Sequence, residues 1–391
     1  MSLIKHIYPS SGNAFTRNPI NVTVQSENLA TYKVYVNNEV VFTGNGTGTF
    51  TVNISEILET AFAETEQVTG TNTVLQYPLG TNQVWATFEV STSGEDTETV
   101  SFTAWKGGIN KTDFRALHDM ETDIFNQKLL NYGGNFFFTT RTYGWQISIK
   151  ETELEPLPFI MPTIPGEENG YITVRETVTG RRLRCSGSSG VLMALNIEQV
   201  RRTFFNDYGV LANMFEVMDP YHTNRAACRI VIERAETAQE RCAVRFLNSF
   251  GVYERLDLVG HATIDTKPIE NQEDTVFQKY DAVTDSFVRD RVRTEIGQTY
   301  SVETGAKRTD ELNFIRDMLT SESVFLALED REVKVIPSVE TMGYRQRQTE
   351  PESFKITFTP VEDESNITAL RTKYGSVKPR IFTSVFSEQF N

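Results

Sequence analysis

Apolar and polar positions alternate through the first hundred residues. Ile20, Val22 and Val24 alternate with Asn21 and Thr23, the period of a half-buried strand. Tyr32, Val34 and Val36 repeat the pattern, and Asn37-Asn38 then separates them from Glu39-Val40-Val41-Phe42. An Asn pair between two apolar runs predicts a hairpin, because Asn tolerates the positive φ of tight turns. Gly44-Asn45-Gly46 reads as a further turn, Thr49–Val52 as the next strand, and Ser55 as the cap of a short helix from Glu56 to Phe62. Val84, Ala86, Phe88 and Val90 alternate again, and a turn leads into Val100, Phe102 and Ala104. Short strands at this turn spacing predict an antiparallel β-sandwich over residues 1–106.

Three rings break the alternation by falling on the polar side of their strands. Tyr35 shares a face with Lys33, Trp85 with Thr87 and Glu89, and Trp105 with Ser101 and Thr103. Tyr35, Trp85 and Trp105 are therefore the candidate contact surface. Two readings stand: packing against another domain or subunit, and stacking on sugar rings.

The strand pattern stops at Lys106-Gly107-Gly108, and a second β-rich domain with helices is expected over residues 107–222. A helix starting at Thr112 or Asp113 would carry Phe114, Leu117, Met120 and Ile124. Asn135–Thr139 and Gly144–Ile149 read as strands. Prolines at 156, 158, 162 and 165 argue against a place inside a sheet and make residues 153–168 an extended arm or long loop, since each proline removes a ladder donor. Tyr171–Glu176 and Arg181–Cys185 form a hairpin pattern, and Asn196 caps a helix that ends by Gly209. Residues 223–391 read as a C-terminal β-sandwich or barrel with one helix, capped at Thr309 and facing the core with Leu312, Ile315 and Leu319. The fold class is thus mainly β, a β-rich α+β chain of tandem antiparallel sandwich or barrel domains with a few covering helices.

Composition narrows the chemistry. The 391 residues carry 38 basic and 52 acidic side chains, a net charge of -14, which repels phosphate backbones and argues against nucleic-acid binding by charge. Cys185, Cys228 and Cys242 have no metal-ligand spacing, and three reduced thiols are expected. No apolar leader or 18-residue apolar run occurs, so a soluble chain without membrane insertion is expected. No HExxH, P-loop, GxGxxG or GxSxG is present, and His6, His118, His222 and His261 stand far apart. No catalytic, cofactor-binding or metal residue declares itself, and no cofactor and no enzymatic activity are expected. Glu362-Asp363-Glu364 with Asn366 is an acidic loop without calcium-loop order. Arg181, Arg182 and Arg184, and Arg289, Arg291 and Arg293, alternate as strand rows with like charges on one face, suited to an acidic neighbouring surface or to pairing across strands more than to binding phosphate.

One stretch adds a resemblance. Arg245-Phe246-Leu247-Asn248-Ser249-Phe250-Gly251-Val252-Tyr253-Glu254, followed by Leu256–Gly260, resembles a pattern in structural proteins of tailed phages and prophages of gut Bacteroidetes. Tyr300–Gly305, Leu319–Leu326, Val333–Ser338, Phe354–Phe358 and the hairpin around Asn18-Pro19-Ile20 and Val34–Phe42 are similar as well. The resemblance implies a non-enzymatic virion component of the tail, tail-tip or adaptor region, assembled in the host bacterial cytoplasm. Its implied partners are further copies of itself, as a homo-oligomer, and neighbouring virion proteins. A glycan-binding or receptor-binding adhesin, with a host-surface glycan on the exposed aromatics, is the alternative.

Overall fold

The computed structural model describes residues 3–62, 73–76, 82–92, 97–222, 224–235, 241–268, 276–291, 296–305, 307–308, 311–327, 332–340 and 353–361. The fold is mainly β, as its strand pattern predicts. The chain divides into two compact units, Met1–Arg234 with Leu247–Glu254, and Ala235–Phe246 with Arg255–Asn391. The expected break near residue 107 therefore falls inside the first unit, between two of its sheets.

The first sheet contains β1 (Ile4–Tyr8), β2 (Asn13–Phe15), β3 (Asn21–Val36), β4 (Glu39–Asn53), β6 (Gln83–Thr92) and β7 (Thr97–Trp105). The order is β1-β3-β6-β7-β2, with β4 lying along β3. On its other side β3 pairs first with β1 and then with β6, and a register shift between Ser26 and Ala30 separates the halves. Both halves serve one core: Val22, Val24, Val34, Phe88 and Val90 are fully buried together with Leu58 of α1 (Ser55–Glu59). Each such side chain contributes about 1.5–3 kcal/mol of hydrophobic stabilisation.

Asn37 and Asn38 supply φ of 50° and 71°, so the predicted hairpin forms. Gly44-Asn45-Gly46 is not a turn. β4 runs through it as strand, because the ladder with β3 continues on both sides of the register shift between Ser26 and Ala30, where Gly48 takes φ +72°; a second shift lies between Val34 and Tyr35. Ser55 does not cap α1 but begins it; Asn53 Oδ1 accepts from the Ser55 backbone N–H at 3.1 Å and its hydroxyl at 2.9 Å.

The rest of the first unit is built on α2 (Lys111–Asp119), α3 (Ile197–Tyr208) and two sheets. The three-stranded sheet joins β5 (Leu75–Gln76), β10 (Leu157–Ile160) and β13 (Leu192–Leu195) in the order β10-β13-β5. The six-stranded sheet joins β8 (Thr142–Tyr143), β9 (Gln146–Lys150), β11 (Gly170–Glu176), β12 (Arg182–Gly187), β14 (Met214–Met218) and β15 (Ala226–Glu233). Its order is β12-β11-β14-β15-β9-β8, with β15 and β9 parallel. Helix α2 starts at Lys111, just before the expected Thr112 or Asp113, and is capped by Asn110, which accepts from the Asp113 N–H at 2.9 Å. The helix ends before Ile124, and Met120 is left exposed. Asn196 and Gly209 close α3 as predicted, the first accepting from the Gln199 N–H at 3.2 Å and the second at φ 67°.

Two sequence expectations fail here. Asn135–Thr139 is no strand but irregular backbone with bends, along which Phe136, Phe137 and Phe138 are all fully buried. Phe136 and Phe137 enter the core of the two sheets, while Phe138 joins a second cluster with Phe15, Trp105, Phe125 and Phe250. The proline segment 153–168 is also not a free arm. Its middle is β10, paired with β13 and buried at all four positions. Pro158 fits because β10 is an edge: the Pro158 carbonyl accepts from the Phe138 N–H at 2.8 Å, so its missing donor faces away from β13.

The second unit is a seven-stranded sheet of β16 (Cys242–Leu247), β17 (Tyr253–Leu258), β18 (Ala262–Pro268), β21 (Ile296–Glu303), β22 (Val324–Ala327), β23 (Glu332–Ser338) and β24 (Lys355–Pro360). Its order is β17-β16-β22-β23-β24-β21-β18. Helix α4 (Leu312–Thr320) buries Leu312, Phe314, Ile315 and Met318 in this unit's core. Thr309 lies outside the described residues, and the helix begins after Glu311 without a side-chain cap. β19 (Val276–Asp281) and β20 (Ser286–Arg291) form a separate two-stranded ribbon. The Glu362-Asp363-Glu364 loop, the side chains of Arg289 and Arg291, and Arg293 as a whole fall outside the described residues.

All three cysteines are free thiols. Burial pushes Cys185 to about 12, and burial with Asp257 does the same for Cys242. Burial also raises Cys228, which is fully enclosed. A thiolate is the reactive form, so native protein at pH 8 is expected to label slowly with a disulfide reagent and to release three equivalents once denatured. Rapid native labelling of Cys185 or Cys228 would contradict this packing.

Candidate interaction surfaces

The outer face of the first sheet carries two of the three rings singled out in the sequence. Trp85 is 52% exposed on β6, and Tyr35 on β3 is half-buried. The Tyr35 hydroxyl donates to Glu89 Oε1 at 3.1 Å, with Lys33 Nζ 3.9 Å from the same oxygen. Thr87 and Ser101 share a hydrogen bond of 2.9 Å on the same face. Tyr35 and Trp85 thus belong to a polar, aromatic-studded surface on rigid strands, with Asn37 Oδ1 accepting from the Trp85 backbone N–H at 3.4 Å.

Trp105 does not belong to it. Its ring is 2% exposed, its Nε1–H donates to Asn13 Oδ1 at 2.9 Å, and it packs on Phe125 and Phe138. It does point away from the sandwich core, as its place in the alternation requires, but a second cluster of the same unit covers it.

A second surface is the outer face of the six-stranded sheet. The register sets Arg175 on β11 opposite Arg182 on β12 and Glu216 on β14, and Glu216 opposite Arg229 on β15. Glu216 pairs with Arg175 and, at 3.1 Å, with Arg229. Burial alone would push its carboxyl up, but these two guanidinium groups outweigh burial and hold it below the usual carboxylate range. Arg184 stacks 3.7 Å from the Tyr171 ring centroid and pairs with Glu167 at 3.3 Å; Arg229 lies 4.5 Å from the centroid of Trp145, which is 46% exposed. Arg175 and Arg229 share Glu216, and Arg182 and Arg184 stand on the same face with Glu167 beside Arg184, an arginine-rich, aromatic face on an acidic chain. Arg181, expected in the same row, precedes β12 and lies over Tyr208 instead. Arg175 and Arg229 were not singled out in the sequence because no spacing links positions 175, 216 and 229; only the sheet register does. The alternation Tyr171-Thr173-Arg175 was the available signal.

The most enclosed polar cluster of the first unit has another character. The Arg141 side chain, 9% exposed, pairs with Glu153 and approaches Glu254 at 3.8 Å. Thr139 Oγ1 and Asn248 Nδ2 donate to Glu254 at 2.5 and 2.6 Å. Lys128 Nζ donates to the Thr139 carbonyl at 3.0 Å and lies 4.5 Å from the Phe250 ring centroid. Burial lowers Lys128 to about 8, against the opposing pull of Glu254. Glu153 and Glu254 are 4% and 5% exposed and are held by their cation and donors, which makes this a structural clasp.

The remaining chemistry-bearing residues stay apart. His118 packs edge-on against Tyr8, and His222 meets Asp219 at 2.9 Å within a turn. Among the described residues, no three His, Cys, Asp or Glu side chains gather at metal-binding distance. No helix among them is long and apolar enough to cross a membrane.

Comparison with known proteins assigns no family. No family model matches the chain, and no curated protein does. Two solved structures of bacterial adhesins align over much of it. One concerns a 1.5-MDa bacterial ice-binding adhesin, at 8% identity over 77% of this chain and 90% of the other, with a TM-score of 0.16. The second concerns a Ca2+-stabilized adhesin of an Antarctic bacterium that binds ice, at 9% identity over 91% and 97%, with a TM-score of 0.15. Scores this low do not establish a common fold.

Proposed function

We propose that the chain is a non-enzymatic structural protein of a tailed-phage particle, in the tail, tail-tip or adaptor region, acting by contact with neighbouring copies and other virion proteins. The observation that carries the contact role is apolar surface left uncovered on ordered strands. On the ribbon β19–β20, Tyr280 is 52% exposed, Phe287 70% and Val288 45%, with Tyr280 and Phe287 in edge contact at 5.6 Å and Val283 exposed in the turn between the strands. A lone two-stranded ribbon is marginally stable in water, so a neighbour that covers those rings stabilises it. The arginine face around Glu216 suits an acidic neighbour in the same way. The particle assignment itself rests on the sequence resemblance around Arg245–Glu254 and Tyr300–Gly305.

Mass spectrometry of purified particles from a host carrying the gene tests this reading. The chain is expected at many copies per particle, alongside tail proteins. Its absence from intact particles would overturn the proposal.

A second reading, a glycan-binding adhesin, is favoured by the exposed Trp85 beside Tyr35, Thr87 and Ser101 on one polar face. A glycan array distinguishes it: binding that Trp85→Ala reduces at least tenfold supports stacking on that face, and an array without signal removes it.

A further inference from the structure

Strand β4 is the most exposed long strand of the first unit. None of its 15 residues is fully buried, and Val40, Val41 and Phe42 are 52%, 44% and 41% exposed. It pairs with β3 along one edge, and among the described residues no strand pairs with the other. Long edges of this kind are normally guarded by lysine, proline or inward charge. β4 has neither lysine nor proline, and its single charged residue is Glu39, at the first position.

The sequence of this edge is nearly the same read in either direction. Phe42-Thr43-Gly44-Asn45-Gly46-Thr47-Gly48-Thr49-Phe50 is a palindrome about Gly46 except for the exchange of Asn45 and Thr47. An antiparallel pair of two copies centred on Gly46 sets Phe42 opposite Phe50 of the second copy. Thr43 then meets Thr49, and Gly44 meets Gly48. The register with β3 makes the faces agree. Phe42 and Phe50 lie opposite the core residues Val34 and Val24, while Thr43 and Thr49 lie opposite Lys33 and Gln25 on the outer side. Aromatic pairs thus meet on one face of the continued sheet and threonine pairs on the other, both favoured cross-strand partners.

The irregular points agree as well. Gly48 bends the strand at φ +72°, and the residue across from it is Gly44, so no Cβ obstructs the bend in either copy. Gly44 and Gly46 are covered by the rings of Tyr32 and Phe50, which would have to shift to admit a Cβ there. Charge does not oppose the contact: the two Glu39 residues fall at opposite ends of the ladder, so chains of net charge -14 meet along an uncharged seam.

We infer that the free edge of β4 is a self-association surface, at which two copies of this chain pair antiparallel about Gly46 and continue the first sheet across a two-fold axis. A two-fold contact of this kind is self-complementary, which is what a palindromic strand provides and what a foreign partner does not require. The inference deepens the proposed structural role by naming one of its partners, a second copy, and it rests on that reading only for its biological setting.

The test uses the full chain in sedimentation velocity over a range of concentrations. Thr43 and Thr49 are exposed and meet only across the seam. Thr43→Glu with Thr49→Glu places like charges opposite each other twice and is expected to weaken association at least about tenfold. Thr43→Glu with Thr49→Lys places opposite charges there and is expected to keep the dimer. Circular dichroism of both double variants checks that they fold. Hydrogen exchange of the unaltered chain needs no variant, and amides of residues 39–53 are expected to gain protection as concentration rises. A strictly monomeric chain, or equal association of the two double variants, overturns the inference, as does a dimer without added protection of β4. The outcome is separable from that of the structural proposal: a chain that dimerises through β4 yet is absent from particles keeps this inference and loses that one.

Discussion

Replacing Arg141 with methionine is expected to destabilise the first unit by about 3–5 kcal/mol, the usual cost of breaking a buried ion pair from one side. The guanidinium pairs with Glu153 and approaches Glu254, and both carboxylates are almost wholly buried. Without it both buried carboxylates lose that cation, while Lys128, 3.0 Å from the Thr139 carbonyl, still interacts with Glu254. Burial and like charge then raise at least one carboxyl above its unfolded value of about 4.3. A folded state with the higher pKa binds a proton that the unfolded state releases, so its stability falls as pH rises through that pKa. The deficit of Arg141→Met relative to wild type is therefore expected to be smaller at pH 5 than at pH 8. Urea denaturation at both pH values measures it, and an equal deficit at the two would show that lost packing, not uncompensated charge, dominates.

Gly251→Ala is expected to cost about 3 kcal/mol or more, against about 1 kcal/mol for Gly180→Ala. The two glycines share the left-handed region, at φ +75° and +70°. They differ in surroundings. A Cβ on Gly251 would stand 2.2 Å from the carbonyl oxygen of Lys106, a backbone atom that cannot swing aside, whereas Gly180 has nothing within 4 Å. Gly107 is restricted reciprocally, its Cβ position lying 2.5 Å from the Ser249 carbonyl oxygen, and the Gly108 N–H donates to that same oxygen at 2.8 Å. Thermal unfolding of the two variants measures the contrast, and equal losses would mean that φ alone, not the wall behind Gly251, sets the cost.

The parts of the fold legible in the sequence are those decided by local chemistry. Asn37-Asn38 turns the hairpin because Asn accepts positive φ, and Asn196 and Gly209 bound α3 because each end needs a particular backbone partner. Trp85 and Tyr35 are legible as outward rings because period-two alternation holds along β3 and β6. Where prediction fails, a distant partner overrides the local signal. Pro158 enters a strand because its donor-free edge meets Phe138, and Phe136–Phe138 are buried on every side because two clusters meet there. Trp105 shows both halves: alternation sends its ring off the sandwich core, but only Asn13, Phe125 and Phe138 decide that it ends enclosed.

The sequence by itself determined the mainly-β class, the hairpin and helix boundaries set by Asn and Gly, the acidic excess and the near-palindrome from Phe42 to Phe50. All of these are properties of neighbouring residues or of totals. Tertiary structure alone decided which sheet edge stays open, which carboxylates share Arg141, and that Arg175 and Arg229 converge on Glu216. Those depend on strand order and register, which bring together positions up to a hundred or more residues apart, as Arg141 and Glu254 are. The palindrome carries no weight until β4 is placed at an edge; buried between two strands, the same residues would be ordinary ladder partners.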